Sequence, residues 1–239
     1  ARREIDRYDE TVAAGFGQNP LLRKYNLAYR YREYAEVMLT SSPASWPISA
    51  TVSAMFADDS FTQSQLGMTE ASNSHVSLDL SWAVSDNATA YLLVGGENID
   101  ADQTGSEYFD VPDWSAFHSD SFSHYGGGLE LRNIGENTDV TLDYTHTDGD
   151  TSIRVYRTGV GPSDYPDIAT DFDSLRLKLR YRKSERFDID LSLRYESFKS
   201  NDWALVGVNP DTIPTVLSLG ADPYDYDVWV VGLGFRYLI

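Results

Sequence analysis

The sequence contains no cysteine. That removes disulfides, thiol nucleophiles, iron–sulfur ligation and the C-x-x-C-H attachment of c-type haem from the chain's own chemistry. It also lacks any apolar run approaching the ~20 residues that a membrane-spanning helix needs, so helical insertion is excluded. Basic residues are few: 19 Lys and Arg stand against 37 Asp and Glu, a formal net charge of -18. Nucleic acid, which wants basic patches, is excluded as a partner. The opening "ARREIDRYDE" lacks a basic-then-apolar signal region. The expectation is a removed signal or a piece of a longer chain.

What is present is aromatic and interleaved. The 239 residues include 16 Tyr, 10 Phe and 5 Trp, yet mean hydropathy is only -0.38. Apolar and polar residues must therefore alternate rather than segregate. Residues 1–28 are polar, without a strong period, and read as a loop or the remnant of an earlier strand; residues 29–239 read as β-segments. These lie at about 29–40, 48–57, 75–84, 88–97, 123–133, 139–147, 175–182, 187–196 and 229–239. Leu175, Leu177, Leu179 and Tyr181 alternate with Arg176, Lys178, Arg180 and Arg182. Phe187, Ile189, Leu191, Leu193 and Tyr195 alternate with Asp188, Asp190, Ser192, Arg194 and Glu196. The closing segment sets Trp229, Val231, Leu233, Phe235, Tyr237 and Ile239 against Val230, Gly232, Gly234, Arg236 and Leu238. Alternation of this strictness is the strand signature.

Connections choose the architecture. Joins at 41–47, 85–87, 134–138 and 183–186 are short, whereas 58–73, 98–122, 148–171 and 199–225 are long. Short turns at one end and long loops at the other is the pattern of an outer-membrane barrel; a sandwich would scatter them. The expected fold is all-β: an antiparallel transmembrane outer-membrane β-barrel with short periplasmic turns and long extracellular loops. Nine segments is an odd count, which predicts part of a larger even-stranded barrel.

Candidate residues follow from the faces. Arg176, Lys178, Arg180, Arg182, Asp188, Asp190, Arg194 and Glu196 are expected to face the lumen. There they grip a partner or water, or simply pair across strands; facing lipid, each base would cost ~2–4 kcal/mol at mid-depth. Trp229, Val231, Leu233, Phe235, Tyr237 and Ile239 are expected to face lipid, with Trp82, Tyr144, Tyr181 and Tyr195 joining the aromatic girdles. Acidic residues Asp100, Asp102, Asp110, Asp113, Asp164, Asp167, Asp171 and Asp173 read as loop charge without calcium-loop spacing. His75, His118, His124 and His146 show no metal-ligand spacing. Asp120, Ser121, Ser123 and His124 are close in sequence, but a catalytic triad is a matter of geometry.

Four stretches carry a resemblance: "IDRYDET" at Ile5, "NPLLRKYNLAYRYRE" from Asn19, "DDSFTQSQLGMTE" from Asp58, and "NDWALVGVNPDTIPTVLSLGADPYDYDVWVVGLGFRYLI" from Asn201. In their order and spacing they resemble the MtrB/PioB family of decahaem-associated outer-membrane barrels, whose members are considerably longer. Tyr29 and Tyr31 depart from the acidic residues expected after "NLA". The resemblance implies the C-terminal portion of a barrel that sheathes a periplasmic multihaem c-type cytochrome. It also implies extracellular electron transfer across the outer membrane, with an extracellular multihaem cytochrome as a further partner. The haem would be carried by the partner, which suits a chain without cysteine. The spacing of Phe235, Tyr237 and Ile239 is similar to the signal read by the outer-membrane assembly machinery. Two other readings stay open at this point: a general small-solute porin and a small barrel hydrolase.

Overall fold

The computed structural model describes residues 2–3, 19–24, 28–108, 110–203 and 225–237. Ile239, the stretch "IDRYDET" and most of the 199–225 connection lie outside them. Two short strands come first, β1 (Arg2–Arg3) and β2 (Leu22–Arg23). The main run follows: β3 (Arg30–Ser41), β4 (Ile48–Ser60), β5 (Leu66–Ser85), β6 (Ala88–Gly105), β7 (Trp114–Ile134) and β8 (Thr138–Arg157). The short β9 (Gly161–Asp164) precedes β10 (Ile168–Ser184), β11 (Phe187–Ser200) and β12 (Tyr226–Tyr237). All join one sheet in the order β1-β3-β4-β5-β6-β7-β8-β10-β11-β12, with β2 lying parallel along β5 and β9 antiparallel along β8. Every other pairing is antiparallel, and the nine long strands pair in chain order as a meander. Among the described residues the sheet does not close on itself.

The nine expected segments are the nine long strands, but several run much further than alternation indicated. β5, β7 and β8 are 20, 21 and 20 residues long. Three expected long loops are therefore corrected: 58–73 shrinks to 61–65, 98–122 to 106–113, and 148–171 to two short links flanking β9. The reason is visible in β8. Up to Tyr144 one face is apolar, but beyond it that face carries His146, Asp148, Asp150 and Ser152 while the other carries Thr147, Gly149 and Thr151. With both faces polar the period-2 hydropathy signal vanishes, although the backbone ladder continues unbroken. Asp100, Asp102, Asp164, Asp171 and Asp173 are accordingly strand residues, not loop residues.

The short-turn end is held by its own chemistry. The β7–β8 turn needs left-handed backbone at Asn133 (φ 55), Gly135 (φ 56) and Glu136 (φ 73). Arg182 reaches across from β10 to close it, bonding Asp139 at 2.5 and 3.1 Å and the Asn133 side chain at 2.5 Å.

A one-layer sheet has no second layer to bury its apolar face. Among the described residues the buried apolar side chains are only Ala28, Ala57, Phe61, Leu66 and Ala116. Leu191, at the centre of β11 and paired on both sides, remains 41% exposed. The register stacks such residues into rows: Leu80, Leu92, Gly127, Tyr144, Leu175, Tyr195 and Trp229 are successive cross-strand partners on one face. The opposite face receives the alternate residues, and there the charges collect.

Candidate functional site

All eight charged residues singled out in β10 and β11 lie on the polar face, because β10 and β11 pair in phase. Arg176 is opposite Arg194, Lys178 opposite Ser192, Arg180 opposite Asp190 and Arg182 opposite Asp188. Their partners differ. Arg180 Nε donates to Asp190 at 2.7 Å, Arg182 is taken by Asp139, Arg194 lies 3.3 Å from Glu196, and Arg236 lies 3.9 Å from Asp188. These are cross-strand or same-face pairs that satisfy one another. Among the described residues Arg176 and Lys178 make no ion pair within 4.0 Å. Simple cross-strand neutralisation therefore accounts for most of this face, and not for those two.

Two histidines come together on the polar face of the middle strands. His75 and His124, 49 positions apart, stack with ring centroids 5.8 Å apart and planes within 7°. His75 is opposite Glu97, which accepts a 2.7 Å bond from Asn73. His118 contacts Gln103 at 3.1 Å on the same face. The Ser/His/Asp cluster is not assembled: in β7, Asp120 and His124 lie on the polar face while Ser121 and Ser123 lie on the other. Asp120 instead accepts from Thr151 at 2.5 Å.

One grouping escaped the sequence reading. His146 on β8 is opposite Asp173 on β10, and its Nδ1 lies 3.0 Å from that carboxylate; its Nε2 is 3.9 Å from Asp171. Among the described residues, these are the three whose ligand-capable atoms lie within 4.8 Å of one another. They sit on the face that carries the apolar rows, one step beyond the Tyr144–Leu175 row. Tyr144 donates to Asp173 at 2.7 Å. Nothing in the spacing could reveal this set, because 27 residues and the whole β9 region separate the partners.

The sheet, its two faces and its hairpin ends are those of a membrane barrel wall, and the comparisons with known proteins agree. The family described as "outer membrane beta-barrel porin, MtrB/PioB" matches residues 1–239. The chain belongs to the MtrB/PioB family. It is 28% identical over 239 residues to the outer membrane protein MtrB of Shewanella baltica (strain OS185), covering all of this chain and 34% of that protein. The chain thus spans about a third of the curated relative's length. Among solved structures, the copper transporter OprC matches with a TM-score of 0.68 at 12% identity, over 89% of this chain and 34% of that one. The siderophore receptor PiuA of Acinetobacter baumannii matches with a TM-score of 0.60 at 12% identity, over 90% and 41%. Identities this low speak to the fold alone. Together these findings make the chain an outer-membrane β-barrel protein of a Gram-negative bacterium.

Proposed function

We propose that the chain forms part of the wall of a barrel that sheathes a multihaem c-type cytochrome, so that electrons cross the outer membrane along the partner's haems. The barrel itself is non-catalytic: it insulates, positions and docks. In this reading Trp229, Val231, Leu233, Phe235, Tyr237 and the apolar rows meet lipid, and the opposite face lines the lumen. Lipid would cover the half-exposed Leu191 and its neighbours, which no second protein layer covers. Arg176, Lys178, Arg180, Arg182, Asp188, Asp190, Arg194 and Glu196 would then face the cytochrome, and the far strand ends an extracellular multihaem cytochrome. The observation that carries the reading is family membership over the whole chain. The lack of cysteine suits this division of labour, since these residues offer no attachment for covalent c-type haem.

The test is purification of the full-length gene product from outer membranes in mild detergent, followed by its haem Soret absorbance. A stoichiometric multihaem signal supports the sheath. A haem-free barrel that conducts ions in planar bilayers overturns it in favour of a plain solute porin.

A further inference from the structure

The polar face is not uniform across the sheet. From β4 to β8 many of its side chains are small or lie flat, with Met55, Leu93 and Ile99 as the larger apolar members. Ser53, Ser77 and Ser81 occupy β4 and β5, and Thr141, Thr145 and Thr147 occupy β8. Between them, four aromatic rings each face a glycine directly across the ladder: Tyr91 over Gly128, His124 over Gly95, Phe122 over Gly149 and Trp114 over Gly105. A Cβ placed on any of these glycines would come under 3.0 Å from the ring. The rings are therefore laid down against the backbone instead of standing out from it, as when an aromatic side chain covers a cross-strand glycine. The product is a wall of low relief.

Its charge is one-sided as well. Asp79, Glu97, Asp120 and Asp143 all lie on this face, and among the described residues none has a cationic partner within 4.0 Å. Glu97 and Asp120 are bonded only by the neutral Asn73 and Thr151. The two arginines on this face of β4–β8 are both paired, Arg132 near the short-turn end with Glu130 and Arg157 at the far end with Glu107. Across β10–β12 the balance reverses, because Asp188, Asp190 and Glu196 are each paired and Arg176 and Lys178 are left over. Arg176 faces Asp143 across the β8–β10 ladder, so the boundary between the sectors runs there.

We infer that the β4–β8 wall is a docking surface for a flat, basic face of the multihaem cytochrome, and that the two sectors together fix the partner's rotation within the barrel. The inference rests on the sheath reading and adds to it which side of the partner meets which strands. Water filling an open pore needs no smooth wall. A folded partner packed along the strands needs low relief to approach and uncancelled charge to choose its orientation. An acidic, flat sector beside a basic one gives both.

The experiment uses the full-length barrel co-expressed with its native cytochrome. Photo-crosslinking side chains are placed at Ser81 and Thr145 on the flat wall and at Ser192 in the basic sector. Adducts from the first two to Lys- and Arg-rich peptides of the cytochrome, and from Ser192 to different peptides, are the expected result. In parallel, the D79K/D143K pair should lower co-purified haem about tenfold while the barrel still shows normal heat-modifiable migration. Should that pair fail to assemble, S81W/T145W asks the same question sterically and should cause a comparable loss. Adducts from Ser81 and Thr145 to the barrel's own chain, or undiminished haem in an assembled variant, overturn the inference. Absence of haem from the wild type is seen before any variant is made, and it overturns the sheath reading itself.

Discussion

Arg182 shows how much one side chain on the polar face can do for the fold. Its guanidinium bonds Asp139 twice and Asn133 once, and Asn133 also sits in the left-handed backbone of the β7–β8 turn. Charge-assisted bonds from a planar guanidinium to a carboxylate are among the stronger polar contacts. Arg182→Ala should therefore lower stability by about 1–3 kcal/mol, read as a shifted urea midpoint of the folded band in lipid vesicles. Arg154 offers the contrast. It pairs with Asp164 at 2.6 Å, but the two side chains are 54% and 68% exposed. Solvent screens such a pair, so Arg154→Ala should move the midpoint far less than Arg182→Ala does. Equal losses in the two variants would show that the turn clamp has no special role. The sequence suggested that residues 176–182 and 188–196 could pair; it could not tell that Arg182 pairs with Asp139, 43 positions back.

Each strand was legible wherever one of its faces is apolar, and only there. In β11 and β12 the alternation runs nearly end to end, and the expected bounds 187–196 match the start of Phe187–Ser200. In β5 to β8 it failed at the polar ends, where the ladder goes on but hydropathy no longer distinguishes the faces. The contrast of short and long connections weakened with it, since the 61–65 link is no longer than the 42–47 turn, but the antiparallel order of the long strands survived. The two-faced strand also makes a prediction of position. Leu191 is mid-strand on the apolar face between Leu179 and Leu233, whereas Thr141 is on the polar face between Glu130 and Lys178. Leu191→Arg should cost about 2–4 kcal/mol of bilayer folding free energy if lipid covers that face at mid-depth. Thr141→Arg, facing the polar interior between Glu130 and Lys178, should cost clearly less than Leu191→Arg. Folding titrations into phosphatidylcholine vesicles give both values, and a Thr141→Arg penalty as large as that of Leu191→Arg would reverse the assignment of faces.

Taken whole, the sheet presents an open arc whose two faces are solvents apart, one suited to hydrocarbon and one to a polar interior. Family membership could be read from four short stretches in their order, whereas the charge pattern of the interior needed the register of every strand. That pattern has a consequence even when no partner is bound. Among the described residues, Asp79, Glu97, Asp120 and Asp143 have no ion pair in the β5–β8 sector, against Arg176 and Lys178 in β10. Pore-lining carboxylates raise the local concentration of cations and repel anions, the same logic as the acidic rings of cation channels. The full-length barrel stripped of cytochrome should then shift toward anion permeation when Asp79→Asn and Asp143→Asn are combined. It should shift toward cations when Arg176→Gln and Lys178→Gln are combined. The reversal potential in a potassium chloride gradient reports both changes, and raising the salt should shrink them together as screening shortens the reach of the wall charges. Opposite displacements of the two variants place both sectors on the pore. If neither variant moves the reversal potential, the polar face does not line the conducting path, and the lumen must be bounded by other strands of the barrel.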